Sequence, residues 1–212
     1  MQIRFALIAV LPLGLAACDP VATDVTDVEA YNALATEYNA LGNAYSTAFI
    51  VPAVSLAATG TATYDGVTRI VVDTPASTQV LGDARIGVNF TNDLVAAQFG
   101  SFVGRANGGA IVAWTEQTPV VANGVIDVLQ PGGQFIQTTM TGELLSADGD
   151  RLSFNPGHQL DGTFRDTAPS ALSAPDAMVL QSGPGSIRLN GLNYGNDLGN
   201  ACETCVRVIA ED

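Results

Sequence analysis

The sequence predicts a mainly β protein, an antiparallel β-barrel of about eight strands preceded by one N-terminal amphipathic helix. Residues 26–50 place aromatic and aliphatic side chains at helical spacing. Beyond Pro52 the side chains change to the period of two that marks a half-buried strand. These strand-like segments recur about every ten residues between glycine-rich turns, which is the spacing of a barrel or a sandwich.

The first residues read as a processing signal and not as part of the fold. Arg4 precedes an apolar run that is shorter than the roughly 20 residues needed to span a bilayer. The run ends in Leu-Ala-Ala-Cys, which resembles a bacterial lipobox, where Cys18 carries a covalent lipid. The alternative is an ordinary secretory signal with a chance cysteine. We therefore predict a signal peptide at 1–17, a lipidated anchor and linker at 18–25, and no cofactor besides the lipid on Cys18.

Charge and anchoring together predict where the domain acts. The chain has 21 acidic residues against 8 basic ones, no lysine, and a net charge of −13. Nucleic acid requires a cationic surface, so it is excluded as a partner. An anionic lipid surface would also repel this domain, so the acyl chains must anchor the protein to the membrane. The acidity serves either solubility or the recognition of a basic partner. We expect the protein in the envelope of a Gram-negative-type bacterium. The outer membrane is favoured, although Asp19 resembles an inner-membrane retention signal. Whether the domain faces the periplasm or the outside stays open.

Residues 26–50 predict one helix with a seven-residue repeat. Thr26 and Glu29 have the spacing of a capping box. The repeat places Tyr31, Tyr38 and Tyr45 seven residues apart, with Leu34, Leu41 and Ala48 three residues after each. The stripe indicates either a helix packed on its own domain or a self-associating coiled coil, for which so short a repeat interrupted by Gly42 is marginal.

Period-two segments fill residues 51–212, which we predict to be the barrel domain. Asp65-Gly66 and Asp148-Gly149 have the composition of hairpin turns. Residues 166–180 are rich in proline, alanine and serine, and we predict that they form a loop.

Several of these motifs together resemble the transferrin-binding-protein-like β-barrel lipoproteins. The matching positions are Gly60, Tyr64 and Gly66 of a Gly-x-x-x-Tyr-x-Gly opening, Gly82, Ala84, Ile86, Val88 and Phe90 of an alternating strand, and Gly162 and Phe164 of a closing strand. Asp166 stands where that closing strand has a second glycine. The resemblance covers residues 26–166. It implies an anchored barrel that acts as a binding or surface lipoprotein, without implying transferrin, which larger two-lobed members recognise.

Cys202 and Cys205 are the sharpest remaining chemical feature. With Cys18 consumed by lipid, they form an even pair in an oxidising compartment, and we predict a structural disulfide. An extended strand would hold their Cα atoms about 10 Å apart, beyond the roughly 7 Å that a disulfide tolerates, so the bond requires a turn between them. Redox and zinc roles have less support, because no βαβ unit surrounds the pair and zinc needs two further ligands.

His158 is the only histidine and a candidate for acid–base catalysis. Asp161 follows it, and serines are plentiful, but no Gly-x-Ser-x-Gly nucleophile elbow is present. A histidine in a Pro/Gly turn is usually a surface residue. We predict no catalytic residue, no bound metal and no enzymatic activity.

Four aromatic residues form the candidate ligand site: Phe99, Phe102, Trp114 and Phe135. They either line the mouth of a barrel that takes a small apolar ligand or form its core. The predicted function is a lipid-anchored envelope protein that binds an unidentified small molecule or protein, without catalysis, through its barrel and loops. The alternatives are a structural lipoprotein that self-associates through the tyrosine helix and a hydrolase that uses His158.

Overall fold

The computed structural model describes residues 26–52, 56, 59–72, 74–127, 136–167, 174–183, 186–195 and 205–212. Within these residues the chain forms one helix, α1, spanning Asp27–Tyr45, followed by twelve strands. The strands are β1 Phe49–Ile50, β2 Thr61–Val72, β3 Thr78–Asn89, β4 Leu94–Arg105, β5 Val112–Ile126, β6 Ile136–Ser146, β7 Arg151–Ser153, β8 His158–Asp166, β9 Ala177–Ser182, β10 Ser186–Leu189, β11 Leu192–Gly195 and β12 Cys205–Glu211.

Eight of the strands close into an antiparallel barrel, which confirms the predicted fold class. The order around the ring is β2-β3-β4-β5-β6-β8-β9-β12, and β12 pairs with β2 to complete it. The short strands β7, β10 and β11 extend the sheet from β6, and β1 adds to the end of β8. Closure satisfies the backbone of the ring strands without leaving a free edge among them.

Large side chains fill the inside of the barrel because every second residue of each strand points inward. Those that are almost fully buried include Tyr64, Ile70, Ile86, Ile136, Met140, Leu144, Phe154, Leu160, Phe164 and Met178. At one end the rings of Tyr64 and Phe90 lie 6.2 and 5.7 Å from the ring of Phe164, measured between centroids. The interior is therefore a packed hydrophobic core.

Helix α1 lies on the outside of the barrel with its tyrosine stripe against the sheet. The predicted capping box is present, with Thr26 and Glu29 exchanging hydrogen bonds between side chain and backbone. The buried stripe, Tyr31, Leu34, Tyr38, Leu41 and Tyr45, packs on the outward residues Val67, Leu81, Val103, Ala177, Val179 and Ile209. The helix ends at Tyr45 and not at residue 50, because Phe49–Ile50 pair with β8.

Each tyrosine of the stripe also meets a charged residue on a different strand. The pairs are Tyr31 with Arg105 of β4, Tyr38 with Arg69 of β2, and Tyr45 with Glu211 of β12. The two guanidinium carbons lie 6.0 and 5.7 Å from the ring centroids, and the hydroxyl of Tyr45 donates to the Glu211 carboxylate at 3.0 Å. Burial and this hydrogen bond raise the pKa of Tyr45 to about 12. The seven-residue repeat thus carries the helix obliquely over the sheet, from β4 across β3 and β2 to β12.

The predicted hairpin turn at Asp65-Gly66 is wrong, because both residues lie in the middle of strand β2. The glycine has a different purpose there. A Cβ atom at Gly66 would lie 2.1 Å from the carbonyl oxygen of Ile209, so only glycine lets β12 approach this closely. The other predicted turn is confirmed: Gly149 has a φ of +92° and its N–H donates to the carbonyl of Ser146 at 3.0 Å.

The predicted loop at 166–180 is wrong over its last residues. Asp166 ends β8, and Ala177–Ser182 form β9, a full member of the ring between β8 and β12. Met178 and Leu180 belong to the interior core, whereas Ala177 and Val179 lie under the helix. Because both faces are covered, this strand lacks the polar alternation by which half-buried strands are found.

Replacing Leu41 by alanine tests the packing of the stripe on its own barrel. Leu41 is 6% exposed. Its truncation is therefore expected to lower the free energy of unfolding by about 2–3 kcal/mol. Urea denaturation measures the loss, and the matched control is Asn39→Ala on the exposed face of the same helix, which should change stability little. If Leu41→Ala left the free energy of unfolding unchanged but lowered the molecular mass measured by light scattering, the stripe would instead lie between two chains.

Candidate functional site

A groove of about 530 Å³ lies on the outer face of the barrel between helix α1 and strands β2 to β4. Its polar lining consists of Glu37, Asp65, Asp83, Arg85, Gln98 and Ser101. The oblique course of the helix creates the groove. The helix covers Val67 and Leu81, but it leaves uncovered Asp65 and Asp83, the next outward-facing residues on the same two strands.

An irregularity in strand β4 shapes the floor of the groove. The register between β3 and β4 shifts between Leu81 and Asp83, where β4 has one extra residue, and Ser101 adopts the left-handed conformation with a φ of +52°. The extra residue brings Phe102 into the core, where its ring occupies the space next to Gly82. A Cβ atom at Gly82 would lie 2.6 Å from that ring, so the glycine and the bulge depend on each other.

The groove is acidic. Burial and the neighbouring carboxylates of Asp83 and Glu211 raise the pKa of Glu37. Arg85, the only cation in the lining, is 3.7 Å from Asp65. Both side chains of that pair are mostly exposed, so it contributes little to stability. The lining therefore presents more negative than positive charge to a ligand.

Of the four aromatic residues predicted as ligand-lining, the structure describes three. Phe99, Phe102 and Trp114 are 4%, 3% and 3% exposed and belong to the main core of the barrel, while Phe135 lies outside the described residues. The indole N–H of Trp114 is buried and has no hydrogen-bond partner in the part of the chain that the structure describes. Their principal contribution in this arrangement is packing, and Phe99 also contributes to the lining of the groove.

The predicted lipidation and disulfide sites fall mostly outside the described residues. Cys18 and Cys202 are not described, and of Cys205 only the backbone is, where it begins β12 opposite Val71. Lipid on Cys18 and a bond between Cys202 and Cys205 stay predictions.

His158 is buried at the start of β8, contrary to the expectation of a surface turn. Its Nε2 lies 2.7 Å from the hydroxyl of Ser182, which also accepts a hydrogen bond from the N–H of Val206 at 2.6 Å. No described residue is a partner for its Nδ1. Asp161 lines a cavity on the outer face and accepts a hydrogen bond from Gln159, so it does not complete a Ser-His-Asp triad.

Sequence reasoning did not single out the groove, because its residues come from four separate elements. Among the described residues, no group of three or more His, Cys, Asp or Glu side chains is placed to hold a metal ion. No described helix combines the length and the apolar character needed to cross a membrane. Comparison of the chain with protein-family models, curated proteins and solved structures found no match.

The buried histidine predicts a pH dependence of stability. Burial lowers the pKa of His158 to about 4, whereas an unfolded chain holds it near 6.5. Between these values the unfolded chain binds more protons, so stability is fully present above about pH 6.5 and decreases as the pH falls toward 4. We expect this residue to account for a loss of about 2 kcal/mol between pH 7.5 and pH 5.0. Urea denaturation at both pH values checks it. In His158→Gln the free energy of unfolding should differ much less between the two pH values. A pH-dependent loss of the same size in both proteins would contradict the prediction.

Proposed function

We propose that this protein is a lipid-anchored envelope protein that binds its partner, without catalysis, on the outside of its barrel. The observation that carries the proposal is the groove of about 530 Å³ between helix α1 and strands β2 to β4. Concave surfaces with a few convergent polar groups are the usual binding sites of proteins. Helix and sheet both contribute rigid walls here, so the backbone positions that carry the polar side chains are fixed before a partner arrives.

The course of the helix supports a tethered arrangement. At its start the carboxylate of Asp27 accepts a hydrogen bond from the N–H of Ala113, near the beginning of β5, at 2.9 Å. At the end of the helix, the hydroxyl of Tyr45 donates a hydrogen bond to the carboxylate of Glu211, at the end of β12. The segment from Cys18 to Thr26 can extend to at most about 28 Å. A lipid on Cys18 would therefore hold the barrel end near Ala113 toward the membrane and present the opposite end away from it.

The resemblance to the transferrin-binding-protein-like lipoproteins supports the same class of function. Most of its motif residues lie on the strands of the ring, with Tyr64 and Gly66 in β2 and Phe164 in β8, while Gly60 directly precedes β2 and Phe90 directly follows β3. Asp166, the departure from the family pattern, is the last residue of β8, and β9 and β12 follow it in the ring. An anchored barrel with a binding surface is the role that the family suggests for this chain.

The two alternatives have less support. Tyr38 and Leu41, which a self-associating helix would need on its surface, are 8% and 6% exposed against the barrel. A hydrolase would need an accessible histidine with an orienting carboxylate, whereas His158 is buried and Asp161 lies on the opposite face of β8. Binding on the outer surface requires neither release of the helix from the barrel nor exposure of His158.

The anchor is tested by Cys18→Ser. We expect the unmodified protein to sediment with the outer membrane and its N-terminal peptide to carry acyl chains in mass spectrometry. The Cys18→Ser variant should lose the acyl mass and leave the membrane fraction, because stable anchorage needs two or more acyl chains. Cys205→Ser, which keeps the lipobox, is the matched control and should sediment like the unmodified protein. An unacylated N-terminal peptide in the unmodified protein would contradict the anchor.

The groove is tested by the double variant Glu37→Gln, Asp83→Asn. Native mass spectrometry of the full chain, purified in detergent from its own envelope, should show a retained cationic molecule, since the lining is acidic. The double variant should lose it, while Asp148→Asn in the exposed turn after β6 should retain it. Retention by all three proteins would place binding elsewhere, and a bare chain in all three would exclude a tightly bound small molecule.

A further inference from the structure

Three of the chain's arginines lie together on another part of the outer face. Arg69 of β2 and Arg207 of β12 are directly opposite each other in the register of the two strands. Such pairs hold their Cβ atoms about 5 Å apart, and like charges in this position destabilise a sheet. Arg165 of β8 is the third member. It lines the same cavity as Gln181, which lies opposite Arg207 in the register of β9 and β12, and burial and the charge of Arg207 lower the pKa of Arg165.

Acidic partners do not neutralise this cluster within the part of the chain that the structure describes. The two ion pairs found there involve other arginines, Arg85 and Arg151. The distribution is unusual, because the whole chain has 21 acidic residues to 8 basic ones. Three cations thus remain together although carboxylates are abundant elsewhere on the surface.

The hydrogen-bonding capacity of the cluster is also incompletely used. Arg165 donates to the carbonyl of Ala48 at 3.2 Å and to the hydroxyl of Thr163 at 3.1 Å. The Nε groups of Arg69 and Arg207 are buried, and neither has an acceptor among the described residues. A buried donor without an acceptor destabilises the fold, and more so when it is charged. An acceptor from outside the chain would therefore stabilise this region.

A small cavity provides room for such an acceptor. It has a volume of about 110 Å³ and is lined in part by Arg165, Thr163 and Gln181. Gln181 lies directly across from Arg207 in the register of β9 and β12, so the cavity adjoins the arginine pair. The volume corresponds to roughly three to four water molecules. Asp161 is the one acidic residue in the lining.

We propose that Arg69, Arg165 and Arg207 form a binding site for the phosphate group of an anionic ligand. The three guanidinium charges together with the Asp161 carboxylate give the site a net charge of about +2, which complements the charge of about −1.5 to −2 on a phosphate monoester at neutral pH. Guanidinium groups present paired N–H donors that match two phosphate oxygens. The site is separate from the acidic groove and does not depend on the proposed function of that groove.

Isothermal titration calorimetry of the detergent-solubilised full chain tests the site with two probes, inorganic phosphate and glycerol 3-phosphate. We expect binding of at least one probe and a loss of roughly tenfold or more in affinity for Arg207→Gln, since a charge-assisted hydrogen bond is removed. Arg188→Gln is the matched control, because Arg188 is exposed on β10 and its Nε donates to Asn193 at 2.8 Å. Preference for glycerol 3-phosphate would identify an esterified phosphate such as a lipid headgroup, and preference for inorganic phosphate a free ion.

The proposal is overturned if neither probe binds, or if Arg207→Gln binds both probes as tightly as the unmodified protein. Thermal unfolding without any probe gives an independent readout. Arg207→Gln should be as stable as the unmodified protein or more stable, because it removes a like-charge contact and an unsatisfied donor. A clear loss of stability would show that the chain itself already satisfies this guanidinium, and would also overturn the proposal.

Discussion

The packing of the tyrosine stripe on the outside of the barrel is the interaction on which the rest of the surface depends. Without helix α1, the sheet would expose a continuous apolar patch that includes Val67, Leu81 and Ile209, and such patches promote aggregation. Fully burying one aliphatic side chain of this size contributes about 1.5–3 kcal/mol. The patch therefore fixes the helix firmly, and the helix in turn decides which outward residues of the sheet stay accessible.

Both candidate sites are consequences of where the helix stops covering the sheet. On one side its oblique course leaves Asp65 and Asp83 open and opposes them with Glu37, which produces the acidic groove. Arg69, which lies over the ring of Tyr38, marks the limit of the covered patch, and Arg207 lies beside it on β12. A single packing interaction therefore separates two surfaces of opposite charge on one barrel.

Local sequence patterns predicted the elements better than they predicted the sites. The capping box at Thr26 and the alternation along β3 depend on neighbouring residues, and both are present in the structure. The Asp65-Gly66 pair misled because glycine has two uses, in turns and at close strand approaches, and only the partner strand β12 distinguishes them. Strand β9 was missed because its two faces are both buried, one by the core and one by the helix. The Arg69–Arg207 pair depends on the register of two strands from opposite ends of the barrel domain, which no local pattern contains.

The strong net negative charge of the chain does not prevent an anion from binding at the arginine cluster. Charges on a protein surface are screened over about 8 Å at physiological ionic strength, so an anion in the cluster mainly experiences the groups within that distance. Among the described residues, the charged groups that form the proposed site are Arg69, Arg165 and Arg207, with Asp161 as the one acid of the adjoining cavity. The remaining acidic surface acts over longer distances and slows the approach of anions, which affects the association rate more than the bound state. Affinity at this site is therefore set by local register and burial, while the overall charge governs how often an anion reaches it.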